Sequence, residues 1–333
     1  MVNELEIKKA ARIIQQGGLV AFPTETVYGL GADAFNPQAV ARIFEVKERP
    51  SFDPLIVHVA SMDTLPLLTE NIDKRVYELA DKFWPGPLTI VLPKSKHVPD
   101  IVTSGLPTVG IRMPDHPVAL ELIRYAGCPI AAPSANKFGK ISPTSACHVR
   151  KQLTEVTCVL DGGNTSIGIE STVITLNPDG FVILRQGYIT KNDLEAILPQ
   201  SEQELSKEIK LASPGLLKSH YSPDKPFFIS GNCDFPFDKS KAGFLSFSLK
   251  DVKGYKIVEY LSDNSDLKQA AVNLFGAMHR LEDAEIDFIV AEPLPEHGIG
   301  IAIMDRLNKA AYKSGRLMTM IGSEKSDCTK KHG

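Results

Sequence analysis

Leu19-Val20-Ala21-Phe22, followed by Pro23-Thr24-Glu25-Thr26-Val27-Tyr28-Gly29-Leu30-Gly31, is the stretch on which the fold assignment turns. Four consecutive apolar residues predict a short buried strand, and a proline ends it. The chain then delivers two hydroxyls, a carboxylate, a phenol and two glycines. Polar groups crowded just past a strand end are where open α/β sheets place their ligands, although a plain polar turn has the same spacing. Upstream, residues 4–16 carry Leu5, Ile7, Ala10, Ala11, Ile13 and Ile14 at helical spacing and stop at Gly17-Gly18.

The same alternation continues downstream. Periodicity and punctuation predict helices over 37–46, 73–83 and 116–125, with strands over 55–59, 88–92, 109–113, 129–132, 158–160, 171–176 and 181–184. Asn177-Pro178-Asp179-Gly180 joins the last two strands as an antiparallel hairpin, so the sheet is expected to be mixed. Residues 199–210 are polar and helix-prone. They lead into Ser213-Pro214-Gly215-Leu216-Leu217-Lys218-Ser219-His220-Tyr221-Ser222-Pro223, a proline-bounded linker richer in apolar and aromatic groups than a solvated tether needs. A second, mostly parallel sheet is expected from strands 227–229, 243–247, 256–260 and 288–291 with helices 267–281 and 300–311. The expected organisation is an α/β domain over 1–200, a linker or lid over 201–225, a smaller α/β domain over 226–322 and a frayed tail over 323–333.

Composition narrows the function class. The chain has 333 residues, 43% hydrophobic and 23% charged, which excludes a disordered, collagen-like or coiled-coil chain. A net charge of −3 offers no whole-chain basic surface for nucleic acid, which leaves only a local basic cleft open. No apolar run reaches membrane-spanning length, and the acidic, helix-like N-terminus does not resemble a signal peptide, so a cytoplasmic location with no membrane partner is expected. The five cysteines are odd in number, dispersed and never spaced C-x-x-C, which argues against a disulfide framework or a structural zinc site.

Three further clusters carry chemistry. Lys47-Glu48-Arg49-Pro50 follows a helix end, where cations also simply complement the helix dipole. Asp53-Pro54-Leu55-Ile56-Val57-His58 then brings an imidazole to the end of a strand; alone, His58 reads as a core histidine. Ala131-Ala132-Pro133-Ser134-Ala135-Asn136, with Ser142-Pro143-Thr144 beyond it, opens a strand into small polar residues whose backbone N–H groups can approach an anion. Arg112 and Arg185 close two further strands. Cations and hydroxyls recurring at strand ends point to one anion-rich pocket. Gly29-x-Gly31 lacks the third glycine of a dinucleotide fingerprint, and no phosphate-binding P-loop exists. Asp161-Gly162-Gly163-Asn164 reads as a turn, and the neighbours Cys147-His148 point apart on a helix.

Taken in order, these motifs resemble the threonylcarbamoyl-AMP synthase family in its long Sua5 form, with a YrdC-like N-terminal domain. The likeness also rests on Trp84-Pro85-Gly86-Pro87-Leu88-Thr89, Val109-Gly110-Ile111-Arg112-Met113-Pro114, Gly168-Ile169-Glu170-Ser171-Thr172-Val173, Arg185-Gln186-Gly187 and Asn308-Lys309-Ala310-Ala311. It implies a YrdC-like twisted mixed sheet with helices, plus a smaller Rossmann-like C-terminal α/β domain. It implies a reaction in which L-threonine, bicarbonate or CO2, and ATP give threonylcarbamoyl-AMP and pyrophosphate, with Mg2+ accompanying the ATP. A separate threonylcarbamoyl-transferase would use the product to modify tRNA, so direct tRNA binding would be weak or indirect.

The resemblance also implies site residues. Lys47, Arg49, Ser134 and Asn136 match the family's catalytic tetrad. Thr26, His58, Arg112, Ala132 and Ser171 match its threonine contacts, and Arg49, Asp53, Thr108, Ser134, Ser142, Arg185 and Tyr221 its ATP contacts. No metal ligand is implied beyond the ATP phosphates. Asp53 departs from the family, which usually has Asn there: a carboxylate would repel a triphosphate or help hold its magnesium. The linker is expected to close over the nucleotide. Two competing readings are an RNA-binding module without turnover and a carbamoyl-transfer enzyme using carbamoyl phosphate.

Overall fold

The structure, a computed structural model, describes residues 2–203, 220–231, 238–248 and 251–328. The strands of the N-terminal unit are β1 (Val20–Phe22), β2 (Gly29–Asp33), β3 (Ile56–His58), β4 (Leu88–Pro93), β5 (Thr108–Arg112), β6 (Ile130–Ala131), β7 (Thr172–Asn177) and β8 (Gly180–Arg185). They form one mixed sheet in the order β1-β2-β6-β3-β5-β4-β7-β8. The β3–β5 and β4–β7 pairs are parallel, and β7–β8 is the expected hairpin, with Asn177 opposite Gly180.

Two strand expectations are corrected. Gly29–Asp33 is a strand antiparallel to β1 rather than the end of a polar loop. Its glycines serve close packing: a Cβ on Gly31 would come within 2.7 Å of the Phe22 ring and 2.6 Å of Ile130. The strand expected at 158–160 is reduced to a single bridge between Val159 and Ala21. The chain turns away immediately after it, where the Tyr28 hydroxyl donates to Gly163 O (2.6 Å) and accepts from Gly162 N–H (3.2 Å).

The period-two alternation of strand side chains sorts the sheet into two faces. Val57, Ile90, Leu92, Val109, Ile111 and Ala131 enter the larger core. Helices α2 (Pro37–Lys47) and α4 (Lys74–Phe83) supply it with Ile43, Phe44, Val76 and Leu79, while α3 (Leu65–Leu68) adds Leu65 and α5 (Asp100–Thr103) adds Val102. On the other face, Val20, Phe22, Ile130 and Ala132 pack with α1 (Glu4–Gln15) and α6 (Pro117–Ala126). That second core covers the face only at the β1-β2-β6 side. The remainder of the face, along β3, β5, β4 and β7, carries His58, Thr108, Gly110, Arg112, Thr89 and Ser171, with a small apolar cluster of Val91 and Val173 beside them. The sequence motifs converge on this strip. The unit is completed by α7 (Ala146–Gln152) and α8 (Lys191–Glu195).

The second unit contains β9 (Phe227–Ile229), β10 (Ala242–Ser246), β11 (Ile257–Tyr260), α9 (Leu267–Asp283), β12 (Phe288–Ala291) and α10 (Ile299–Cys328). Its sheet, β11-β10-β12-β9, is parallel throughout. Helix α10 runs past Ala311, where the sequence reading ends it, and includes residues 323–328 of the expected frayed tail. No proline follows, and the glycines at 315 and 322 each lower helix preference by only about 1 kcal/mol. Residues 329–333 lie outside the described residues.

By their contacts the units comprise Met1–Phe138 with Ser142–Leu216, and Gly139–Ile141 with Leu217–Gly333. Of the linker or lid expected at 201–225, residues 204–219 lie outside the described residues. Among the described residues no helix is long and apolar enough to cross a membrane.

Candidate active site

Strand β5 ends in Arg112, whose side chain is held on every nitrogen. Nε donates to Gly86 O (3.1 Å), Nη1 donates to Thr26 Oγ1 (2.9 Å), and Nη2 pairs with Glu25 Oε1 at 2.5 Å. Thr26 is fixed in turn by Thr24, whose hydroxyl also donates to Val27 O (2.6 Å). Parallel pairing sets His58 opposite Arg112. Burial first, and the Arg112 charge second, lower the His58 pKa to about 3, so its imidazole is neutral at neutral pH. His58 Nδ1 is buried and has no hydrogen-bond partner among the described residues. Ala132 donates its backbone N–H to Ile56 O (2.9 Å) beside it. Ser171 Oγ lies 2.8 Å from Thr89 Oγ1 and accepts from Arg185 Nη2 (3.0 Å). Thr26, His58, Arg112, Ala132 and Ser171 therefore gather at one end of the strip.

The second grouping starts from α2. Asn36 caps it by accepting from the N–H groups of Gln38 and Ala39. The helix stops at Glu48, whose φ of +53° turns the chain sharply. Lys47, 1% exposed, donates from Nζ to Ser134 O (2.6 Å) and Asn136 O (2.5 Å). Burial, reinforced by Arg49, pushes its pKa well below the usual lysine range. Arg49 folds back on its own loop: Nε donates to Asp53 O (3.1 Å), Nη2 donates to Pro54 O (2.9 Å), and Nη2 pairs with Asp53 Oδ2 at 2.9 Å. Thus Lys47, Ser134 and Asn136 are locked together, and Arg49 and Asp53 form a buried ion pair beside them.

Thr108 begins β5, four residues from Arg112, or about 13 Å at the rise of a strand. It pairs with Pro93 of β4; β3 joins β5 only from Ile56, opposite Gly110, and the Leu55 N–H goes to Val102 O (2.9 Å). Two residues expected with the nucleotide group have partners near Ser171. Arg185 reaches Ser171, and Ser142 donates to Glu170 Oε1 (2.6 Å). Both sit near the Ser171 end because the β7–β8 hairpin brings Arg185 opposite Val173. Tyr221 is buried in the second unit, its ring stacked on Phe275.

Glu25, Thr89 and Glu170 are the side chains that sequence reading left without a role. All three lie inside motifs quoted for the resemblance. Their partners are remote in sequence, so spacing gave no signal for them.

Two family sequence profiles cover the chain: the Sua5, YciO and YrdC profile, described as "Telomere recombination", matches residues 12–187. The profile described as "Threonylcarbamoyl-AMP synthase, C-terminal domain" matches residues 189–312. The chain belongs to the threonylcarbamoyl-AMP synthase family. The threonylcarbamoyl-AMP synthase of Pyrococcus abyssi is 42% identical, over 93% of this chain and 95% of that protein. That of Bacillus subtilis is 43% identical, over 93% and 94%. The crystal structure of P. abyssi Sua5 complexed with L-threonine superposes with a TM-score of 0.82 at 40% identity, covering 94% of this chain and 96% of that one. Membership in the Sua5 family accounts for both sheets of the fold.

Among the described residues no group of three His, Cys, Asp or Glu side chains could hold a metal ion. Asp53, a carboxylate at the Lys47–Arg49 end, is already paired with Arg49.

Proposed function

We propose that this chain makes L-threonylcarbamoyladenylate and pyrophosphate from L-threonine, bicarbonate or CO2, and ATP, for the N6-threonylcarbamoyladenosine modification of tRNA. The observation that carries the reading is the buried, fully held Arg112 fork between Thr26, His58 and Ser171, a receptor for the carboxylate of a small amino acid. Its place in a chain 40% identical to a protein crystallised with L-threonine supports the choice of amino acid.

The chemistry follows from the two ends of the strip. Threonine, held through its carboxylate at Arg112, adds its neutral amine to CO2 with release of a proton, or to bicarbonate with release of water, giving a carbamate. A carbamate oxygen attacks the α-phosphorus of ATP while the bond to the β-phosphate oxygen breaks, and pyrophosphate leaves. Two anions must approach, so cations and hydroxyls preorganised around them lower the barrier. Arg49 supplies a cation that Asp53 partly offsets, Lys47 fixes the Ser134 and Asn136 backbone through its Nζ, and Ser134 and Asn136 orient the phosphates, with Asp53 and Thr108 on the nucleotide side. Magnesium bound to the ATP phosphates would add charge neutralisation. Arg185 and Ser142 fit the amino-acid end better, where they fix Ser171 and Glu170. Positioning carries the transfer without a covalent enzyme intermediate. A transferase that consumes the adenylate is the expected partner, in the cytoplasm.

Pyrophosphate release by the purified chain tests this. Release from ATP should require both L-threonine and bicarbonate, and release indifferent to threonine would refute the assignment.

A further inference from the structure

Glu25 lies just past β1, 3% exposed, and its carboxylate meets Arg112 at 2.5 Å. Apart from that ion pair, neither carboxylate oxygen has a hydrogen-bond partner among the described residues. Its backbone is fixed independently, since Glu25 O accepts the Ile167 N–H (2.8 Å). A buried ion pair with so few supporting hydrogen bonds is weak as a stabilising device. Arg112 does not need Glu25 for its orientation alone, because Gly86 O and Thr26 Oγ1 already hold two of its nitrogens. What Glu25 adds is charge. Arg112 with Glu25 is neutral, and the neighbouring His58 is neutral as well. Arg112 without Glu25 is a buried cation that attracts any small carboxylate.

We propose that Glu25 is a positioning residue that sets ligand class: paired with Arg112, it cancels that cation's charge at the amino-acid end, so that the site takes a zwitterion and rejects the same molecule without its ammonium. The inference rests on the threonine reading given above. The Glu25 carboxylate repels the net charge of a simple hydroxy acid, whereas the ammonium of threonine cancels that repulsion. The reactant amine is thereby required for binding before it is required for chemistry.

The test is calorimetric binding of L-threonine and of 3-hydroxybutyrate, which lacks the amine, to the full chain and to its Glu25→Gln and Glu25→Asp variants. The preference of the wild type for threonine should fall by about tenfold or more in Glu25→Gln, through weaker threonine binding and stronger hydroxybutyrate binding together. Glu25→Asp keeps the charge and shortens the reach, so threonine should weaken by about fivefold while the preference stays within about threefold of wild type. A Glu25→Gln preference equal to that of wild type overturns the proposal. Should Glu25→Gln fail to fold, Glu25→Asp decides: unchanged threonine affinity in that variant overturns the proposal, and weakened affinity with the preference kept supports it. Wild type that binds no L-threonine would instead refute the function reading beneath it.

Discussion

Asp53 shows how a single carboxylate reorganises a cation. It sits 2.9 Å from Arg49, with both side chains buried, so the pair presents little net field to an incoming triphosphate. Asn at this position would keep an acceptor for the guanidinium and remove the opposing charge. Asp53→Asn is therefore expected to lower the KM for ATP by about threefold to tenfold, the equivalent of roughly 1 kcal/mol, with the KM for L-threonine unchanged. The unbound protein should lose stability, since a buried guanidinium is left without its counter-charge. Steady-state pyrophosphate release at saturating threonine reads the first effect. A higher KM for ATP would mean that Asp53 holds the nucleotide's magnesium instead. The departure at Asp53 was legible in the sequence, but its partner was not, because Arg49 reaches it only after Glu48 turns the chain out of α2. The same holds for Glu25 with Arg112 and Ser142 with Glu170: the motifs could be read, whereas pairings across the fold are made by topology.

Strand β5 runs along the strip and ends in Arg112. Val109 and Ile111 enter the larger core, while Thr108, Gly110 and Arg112 share the opposite face. Gly110 lies between Thr108 and Arg112 on that face. A Cβ there would meet Thr89 Cγ2 at 3.3 Å and Ile56 Cγ1 at 3.6 Å, so Ala is tight and a branched side chain must displace one of them. Gly110→Val is expected to cut pyrophosphate release by about a hundredfold, as a displacement of reacting groups by an ångström can, and to cost about 1–3 kcal/mol of stability through overpacking. Turnover above half that of wild type would show that substrates do not meet across β5. The alternation marking Val109 and Ile111 was readable in advance, as were the β7–β8 hairpin and the parallel second sheet. Strand β2 was not, because two glycines packed beneath Phe22 look like turn residues until the neighbouring ring is known.

At the scale of the whole chain, the open question is what Tyr221 does. It was expected to close over the nucleotide; its ring instead lies inside the second unit, 1% exposed, 5.4 Å from the Phe275 ring and 5.7 Å from the Arg306 guanidinium. Its φ of +58° is unfavourable for a residue with a side chain, so the surrounding contacts must hold it there. The next residue, Ser222, donates its backbone N–H to Gly139 O (2.8 Å), and Lys140 pairs with Asp224. Gly139 is three residues past Asn136 in the chain. Packing and nucleotide contact make different demands on the side chain. Tyr221→Ala removes the ring and should destabilise the second unit by about 3–5 kcal/mol, visible in calorimetry as a lowered transition. Tyr221→Phe keeps the ring and discards only the hydroxyl. If the ring's packing is what matters, Phe restores both the transition and the rate of pyrophosphate release, while Ala loses both. If the hydroxyl reaches ATP, Phe keeps the transition and raises the KM for ATP. The burial of the ring favours the first outcome, and a Phe variant with wild-type stability and a raised KM for ATP would reverse that conclusion.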